Sequence, residues 1–226
     1  MIYFFADDHY NTFPGRNIYE NLPEEWKKKI VFQENDWTGL QAGSWVEDCD
    51  LLILHLIGAT CNLPHPDSNG EKAVKAWCEK GGNILLLHGA SAAFWQWEWW
   101  RKLPGCRWVR PNDPDGVAPS THPTAPYKVT LTKARHPLSS LLAEMDLPKD
   151  EIYTELENVN YCIYLMETIV NGKSFVQCCE TLTPWGGKMV NFTPGHNKEV
   201  TGSAVYIRNI ITLMEYLLKG TNHETL

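Results

Sequence analysis

Two short runs constrain the fold of this chain more than anything else in it. Leu51-Leu52-Ile53-Leu54-His55-Leu56-Ile57 is apolar apart from one histidine between Asp50 and Gly58, and Asn83 to His88 repeats the pattern after Gly81-Gly82. A strand covered on one face alternates apolar and polar residues. A run without alternation belongs to a strand buried on both faces, which is the habit of parallel sheets lying between helices. The sequence between the two runs agrees: Asp67 or Ser68 can cap a helix whose apolar positions Ala73, Val74, Trp77 and Cys78 follow helical spacing, and the glycine pair stops it.

The alternation begins at the N-terminus. Ile2 to Ala6 reads as a strand, Asp7 to Arg16 as a polar loop, about Asn17 to Lys29 as helical, Ile30 to Gln33 as a second strand, and the region near Trp45 as helical again. Ser91 to Leu103 is expected to be a helix carrying Phe94, Trp95, Trp97, Trp99 and Trp100. Strand and helix in this order imply right-handed crossovers and a parallel sheet. Beyond Pro104 the pattern changes to a Pro-rich loop and strand-like runs at Tyr127 to Thr132, Ile152 to Leu156, Cys162 to Val170, Phe175 to Leu182 and Lys188 to Phe192. Several of these must pair antiparallel or lie at an edge, with Gly186-Gly187 as a hairpin turn. Ser203 to Leu218 closes the chain as an amphipathic helix. The expected fold is therefore α/β, a single domain over residues 1–220 with a mainly parallel sheet flanked by helices and antiparallel edge strands in the C-terminal half, followed by a flexible tail at 221–226.

Composition excludes some functions. A net charge of −7 without a Lys/Arg cluster gives no electrostatic footprint for nucleic acid. No run of about 18 apolar residues exists to span a membrane, and the apolar segment after Met1 is too short for a signal peptide, so a cytoplasmic protein is expected. The 10 Trp and 9 Tyr suit either a core or the faces of a sugar ligand, and exposed aromatics allow a homodimer. The 7 Cys form an odd set without CxxC spacing, which argues against a disulfide framework and against a thiolate zinc site.

Ligands of parallel sheets bind where loops diverge at the carboxyl ends of the strands. Four of the eight histidines fall at such places: His9 after the first strand, His55 late in the central one, His88 at the end of the next, and His196 in Thr193-Pro194-Gly195-His196. Each is a structural histidine or a member of one cleft, and for His88 and His196 the cleft is the better reading. His88 ends a strand and enters the small-residue turn Gly89-Ala90-Ser91, a geometry that exposes a reactive side chain. In Asp150-Glu151-Ile152-Tyr153-Thr154-Glu155 the alternation puts Glu151, Tyr153 and Glu155 on one face, where they could hold hydroxyls, transfer protons or join histidines around a metal. Such a metal, a divalent ion such as zinc, would be held by His88 and His196 with Glu151 or Glu155. Cys61 and His65 form a second, isolated pair. Trp95, on the helix beside His88, and Trp185, beside the glycine turn, are the candidate sugar platforms, with His9, His55 and Tyr153 as further binding groups.

These segments carry a resemblance. Gly81-Gly82-Asn83-Ile84-Leu85-Leu86-Leu87-His88-Gly89-Ala90, His136-Pro137, Asp150 to Glu155, and Gly186 to His196 are similar, in this order, to the ThuA-like trehalose-utilisation family. That resemblance implies a flavodoxin-like, class I glutamine-amidotransferase-like fold and a carbohydrate substrate, a disaccharide or keto sugar. Class I amidotransferases carry a nucleophilic Cys after the corresponding strand. Here the region offers His88 and Ser91, so amidotransferase chemistry is not expected. The Pro-rich stretch Arg110 to Pro123 departs from shorter members, which pass quickly to a His-Pro, so the resemblance does not fix the equivalence of His122.

Three functions follow. The first is an enzyme acting on a sugar by His/carboxylate acid–base or metal-assisted chemistry, using His88, His196, Glu151 and Glu155. The second is a non-catalytic sugar-binding or regulatory protein, whose affinity would depend mainly on its Trp residues. The third is a hydrolase using Cys61 or Cys106 as nucleophile, for which neither Cys has a recognisable elbow or base.

Overall fold

The computed structural model describes residues 1–58 and 64–219. Among the described residues eleven strands form: β1 (Ile2–Ala6), β2 (Ile30–Glu34), β3 (Leu51–His55), β4 (Ile84–Leu87), β5 (Cys106–Arg107), β6 (Thr124–Leu131), β7 (Met145–Glu151), β8 (Glu157–Asn158), β9 (Cys162–Val170), β10 (Lys173–Leu182) and β11 (Lys188–Phe192). Nine of them build one sheet in the order β2-β1-β3-β4-β11-β10-β9-β6-β7, and β5 pairs with β8 in a separate ribbon. The first five members of the sheet are mutually parallel and the last four antiparallel. The parallel part has the flavodoxin-like order, whose direction of winding reverses between β1 and β3. The expected fold, an α/β domain with antiparallel strands in its C-terminal half, is the observed one.

The apolar runs behave as their patterns predict. Every residue of β3 and β4 is buried. On one face Ile53, Leu85, Val190 and Phe192 meet the final helix, Ala204–Lys219, through Tyr206, Ile210, Leu213 and Leu217. On the other, Leu52, Leu54, Ile84 and Leu86 meet the helix Ser68–Glu79 and the aromatic residues Trp45, Trp77, Phe94 and Trp100. Asp67 caps the helix Ser68–Glu79 by accepting from the N–H groups of Asn69 and Gly70. Gly187 lies between β10 and β11 so close to Gly82 that a Cβ would stand 2.4 Å from its carbonyl oxygen, which explains a glycine at that turn.

Three expectations are corrected. The helical stretch from Asn17 to Lys29 is two helices, Pro14–Asn21 and Glu24–Lys27, because Pro23 cannot continue the first. Ser91 to Leu103 is a short 3-10 turn at His88–Ala92 and one helical turn at Glu98–Arg101. The chain passes through the left-handed region at Phe94 between them, and this irregular path buries Phe94, Trp97 and Trp100 together, leaving Trp99 at the margin with Nε1 on Glu71. Ile152 to Leu156 is not a strand: β7 ends at Glu151, and Thr154 makes only an isolated bridge to Thr121. Cys61 and the tail at 221–226 lie outside the described residues.

Asn83 locks the start of β4 to its surroundings. Its Nδ2 donates to the Leu217 carbonyl at 2.6 Å and its Oδ1 accepts the Lys188 N–H at 2.8 Å. Replacing Asn83 with Ala strands both groups in the interior, a loss of roughly 2–3 kcal/mol that urea denaturation should register as a lower midpoint at unchanged slope.

Candidate active site

The carboxyl ends of β1, β3, β4 and β11 converge, and two buried aspartates fix the loops that leave them. Asp7 follows β1. Its Oδ1 accepts the His9 N–H at 3.2 Å, and its Oδ2 accepts the N–H groups of Ile57 and Gly58, just past β3, at 2.8 and 3.0 Å. Asp150, in β7, does the same for the last loop, taking the N–H groups of Gly195, His196 and Asn197 at 3.0, 3.3 and 2.9 Å. Both side chains are fully buried. A carboxylate that satisfies three backbone donors holds a loop in one conformation, since each donor would otherwise be left without a partner away from water.

The loops so held present the histidines to one another. His9 and His88 both adopt a left-handed backbone with φ 45°, uncommon for residues with a Cβ and a conformation that the surrounding contacts must enforce. Ring centroids lie 5.0 Å apart for His9 and His88, 5.2 Å for His9 and His196, and 5.4 Å for His88 and His196. His55 stands behind them, 5.8 Å from His9 and 6.0 Å from His88. Gly89 makes this approach possible, because a Cβ there would meet His9 Cε1 at 2.5 Å.

Hydrogen bonding fixes the His88 tautomer. Its Nδ1 lies 2.8 Å from the Thr193 carbonyl oxygen, which can only accept, so Nδ1 carries the proton and the Nε2 lone pair faces the cleft. Nε2 is 3.2 Å from the Tyr153 hydroxyl and 3.5 Å from Glu151 Oε2. Glu151 Oε2 is also 3.6 Å from His196 Nδ1, and Oε1 is 3.3 Å from His122 Nδ1, so one carboxylate touches three imidazoles. Trp108 packs on Tyr153 with ring centroids 4.5 Å apart at a tilt of 45°, and also packs against His122. Arg110 lies over the Trp95 ring, its Nε and Nη2 buried without a hydrogen-bond partner. His9, Tyr10, Trp108, Arg110, Glu151 and Tyr153 face one cleft that encloses about 470 Å³ including its open mouth.

The electrostatics of this cleft follow from burial. Burial pulls His9 well below its ordinary range, helped by the neighbouring imidazoles, and takes His55 down to about 3. Burial and then His88 lower His196. Burial alone would raise the Glu151 carboxyl, but His88, His196 and His122 outweigh it and leave the group below its ordinary value. Tyr153, buried and beside Glu151, is pushed well above 10 and keeps its proton. At neutral pH His9, His55 and His196 are neutral, Glu151 is a carboxylate and Tyr153 is a phenol that can donate.

Three nitrogen donors, one each from His9, His88 and His196, lie within 4.8 Å of one another. The buried Nδ1 atoms of His9 and His196 have no hydrogen-bond partner and His88 offers a lone pair held by a carbonyl behind it, a donor set suited to a divalent metal with an open position.

Of the residues singled out in the sequence, His9, His55, His88, His196, Glu151 and Tyr153 come together. Glu155 does not: with φ 53° it turns the chain outward, and its carboxylate pairs with Lys173 Nζ at 2.6 Å. Trp185 lies at the opposite end of the sheet, beside Gly81, Gly82 and Asn83. Trp95 borders the cleft through Arg110 and His65. Cys106 has Asn158 and Cys162 as partners and no histidine, and its thiol is raised to about 12 by the hydrogen bond with Cys162 and by burial, the reverse of an activated nucleophile. Asp7, Tyr10, Trp108 and Arg110 carry no local signature, because only the fold brings them to the histidines. Asp150 stood in the sequence beside Glu151, where its structural part could not be told from a catalytic one.

Fold and site together define an α/β domain of the glutamine-amidotransferase-like kind in which a histidine cluster occupies the switch-point cleft. The family model for ThuA, trehalose utilisation, matches residues 14–215, and the chain belongs to that family. Among solved structures it is similar to a ThuA-like protein from Parabacteroides merdae, with TM-score 0.75 and 12% identity over 100% of this chain and 91% of the other. A ThuA-like protein from Bacteroides uniformis gives 0.66 and 14% over 96% and 89%, and PurLQS from Thermotoga maritima 0.57 and 11% over 95% and 98%. At these identities the likeness is one of fold. A search of the curated proteins finds no match. Among the described residues no helix is long and apolar enough to cross a membrane.

The low value of His55 has a thermodynamic consequence. Unfolded, His55 takes up a proton near 6.5; folded, only near 3. Stability is therefore complete above pH 6.5 and falls with pH through that window, by about 1.4 kcal/mol per pH unit from this one group. A His55→Leu variant should show a shallower fall of unfolding free energy between pH 6.5 and 4.5, smaller by about one proton, and an unchanged slope would contradict the assignment.

Proposed function

We propose that the cleft is the active site of a carbohydrate-acting enzyme that transfers a proton next to a sugar carbonyl, as in the isomerisation or elimination of a keto sugar or keto-disaccharide. The observation that carries the reading is the contact of one ionised carboxylate, Glu151, with three imidazoles and a buried tyrosine inside a cleft lined by aromatic rings. A carbonyl acidifies the adjacent C–H, and the group that takes the proton must be an unprotonated base within reach. Glu151 meets that requirement because its carboxyl is held below its ordinary value. Tyr153 keeps its proton and can donate to the oxygen on which charge develops, while the unpaired nitrogens of Arg110 can hold the same or a neighbouring oxygen. Trp108 and Tyr10 offer flat surfaces to the sugar ring.

A divalent metal fits the donor set of His9, His88 and His196. When bound it would polarise the carbonyl as a Lewis acid. Family membership in trehalose utilisation supports a sugar as substrate.

Hydrogen exchange into a 3-keto-disaccharide in D2O, followed by NMR, tests the reading without knowledge of the product. Wild-type protein should exchange the proton beside the carbonyl, and Glu151→Gln should slow this about 10²–10⁴-fold with ligand affinity changed only a few-fold. Binding without exchange or conversion would instead support the non-catalytic sugar-binding protein. Elemental analysis gives a second expectation: a stoichiometric divalent metal in the wild type, absent from the His88→Ala, His196→Ala double variant.

A further inference from the structure

The spacing of the cysteines argued against a thiolate site, yet the fold gathers three of them. Cys162 in β9 and Cys179 in β10 lie on one face of the sheet, in register with Thr181 and Tyr164 respectively. The β5–β8 ribbon covers that face and lowers Cys106 onto them. Cys106 Sγ is 3.8 Å from Cys162 Sγ, and the three sulfur atoms lie within 4.8 Å of one another. Gly105 permits the approach, since a Cβ there would meet Cys162 Cβ at 2.6 Å and Thr181 Cβ at 3.2 Å.

We propose that Cys106, Cys162 and Cys179 form a three-thiolate site for a thiophilic d10 cation of the zinc class, with its fourth position toward Asn158. Zinc–sulfur bonds of about 2.3 Å at tetrahedral angles separate the sulfurs by about 3.8 Å. One pair already stands at that separation, and the third sulfur needs only a modest side-chain rotation. Asn158 Oδ1, 3.2 Å from Cys106 Sγ, is a neutral oxygen donor at the rim, where it also accepts from the Tyr164 hydroxyl. Asn191 holds Cys106 over Cys179. It is the cross-strand partner of Cys179, its Nδ2 donates to the Cys106 carbonyl, and its buried Oδ1 has no hydrogen-bond partner. Cys106 and Cys179 are buried and Cys162 is half-exposed, so an ion enters from the Cys162 side.

Binding balances as one M²⁺ plus three thiols giving a trithiolate complex and three protons. The cation would staple β5 to β9 and β10. Two residues beyond Cys106, Trp108 packs on Tyr153, so the staple stiffens one wall of the histidine cleft without contributing a group to it.

The test uses the reduced, metal-stripped full chain titrated with Cd²⁺, read by the ultraviolet thiolate-to-metal charge-transfer band and by proton release. The expected result is a band saturating at one equivalent, weakened by more than about a hundredfold in affinity in Cys162→Ser and Cys179→Ser, and retained in His9→Ala and His196→Ala. Zn²⁺ should raise the melting temperature of the wild type and leave that of Cys162→Ser unmoved. Cys162, being half-exposed, is the variant that keeps its apo fold, as circular dichroism would record. No band in the wild type, or a band that survives in both serine variants, overturns the proposal.

Discussion

The structure depends on a buried carboxylate, Asp7, that receives three backbone N–H groups from the ends of two neighbouring parallel strands. β1 and β3 are the pair between which the sheet changes winding direction, so the chain diverges there and its loops would be free to wander. Asp7 binds the loop after β1 to the loop after β3. Asp150 repeats the device across the cleft, tying the loop after β11 to the antiparallel half of the sheet. The positions of His9 and His196 are consequences of these two anchors, and the left-handed backbone at His9 is stable because its own N–H is one of the bonds to Asp7.

What the anchors create is unusual electrostatically. Four imidazoles in contact repel one another when charged, and burial disfavours charge further, so His9, His55 and His196 are driven toward neutrality. Glu151 then has a neutral His196 beside it, at 3.6 Å from its carboxylate. Tyr153 closes the arrangement by giving its hydroxyl to the only lone pair that the Thr193 carbonyl leaves on His88. A cysteine at the position of His88 would make a nucleophile elbow. An imidazole in the same strained turn makes a fixed lone pair instead, suited to holding a proton or a cation.

Much of the fold was legible because burial on two faces leaves a local mark. The apolar runs at β3 and β4, the capped helix between them and the glycine hairpin before β11 could each be read from a few residues. The histidines were legible for the same reason, since a strand end is visible in sequence and the topology places strand ends together. Glu155 was not: alternation assumed that the strand continued past Glu151, whereas the chain turns there and hands Glu155 to Lys173. The aromatic segment after His88 reads as a helix, but burying Phe94, Trp97 and Trp100 together takes an irregular path. Trp108, Arg110 and the three clustered cysteines are products of long-range packing by the short β5–β8 ribbon, whose two-residue strands leave no periodic signal.

The strand ends hold His9, His55 and His196 as neutral imidazoles and fix a proton of His88 on Nδ1. Two-dimensional proton–nitrogen-15 spectra of the histidine side chains at pH 6 test this claim most directly. His9 and His55 should be neutral at that pH, and His88 should carry a proton on Nδ1. Charged imidazoles at His9 and His55, or a His88 protonated on Nε2 alone, would contradict it.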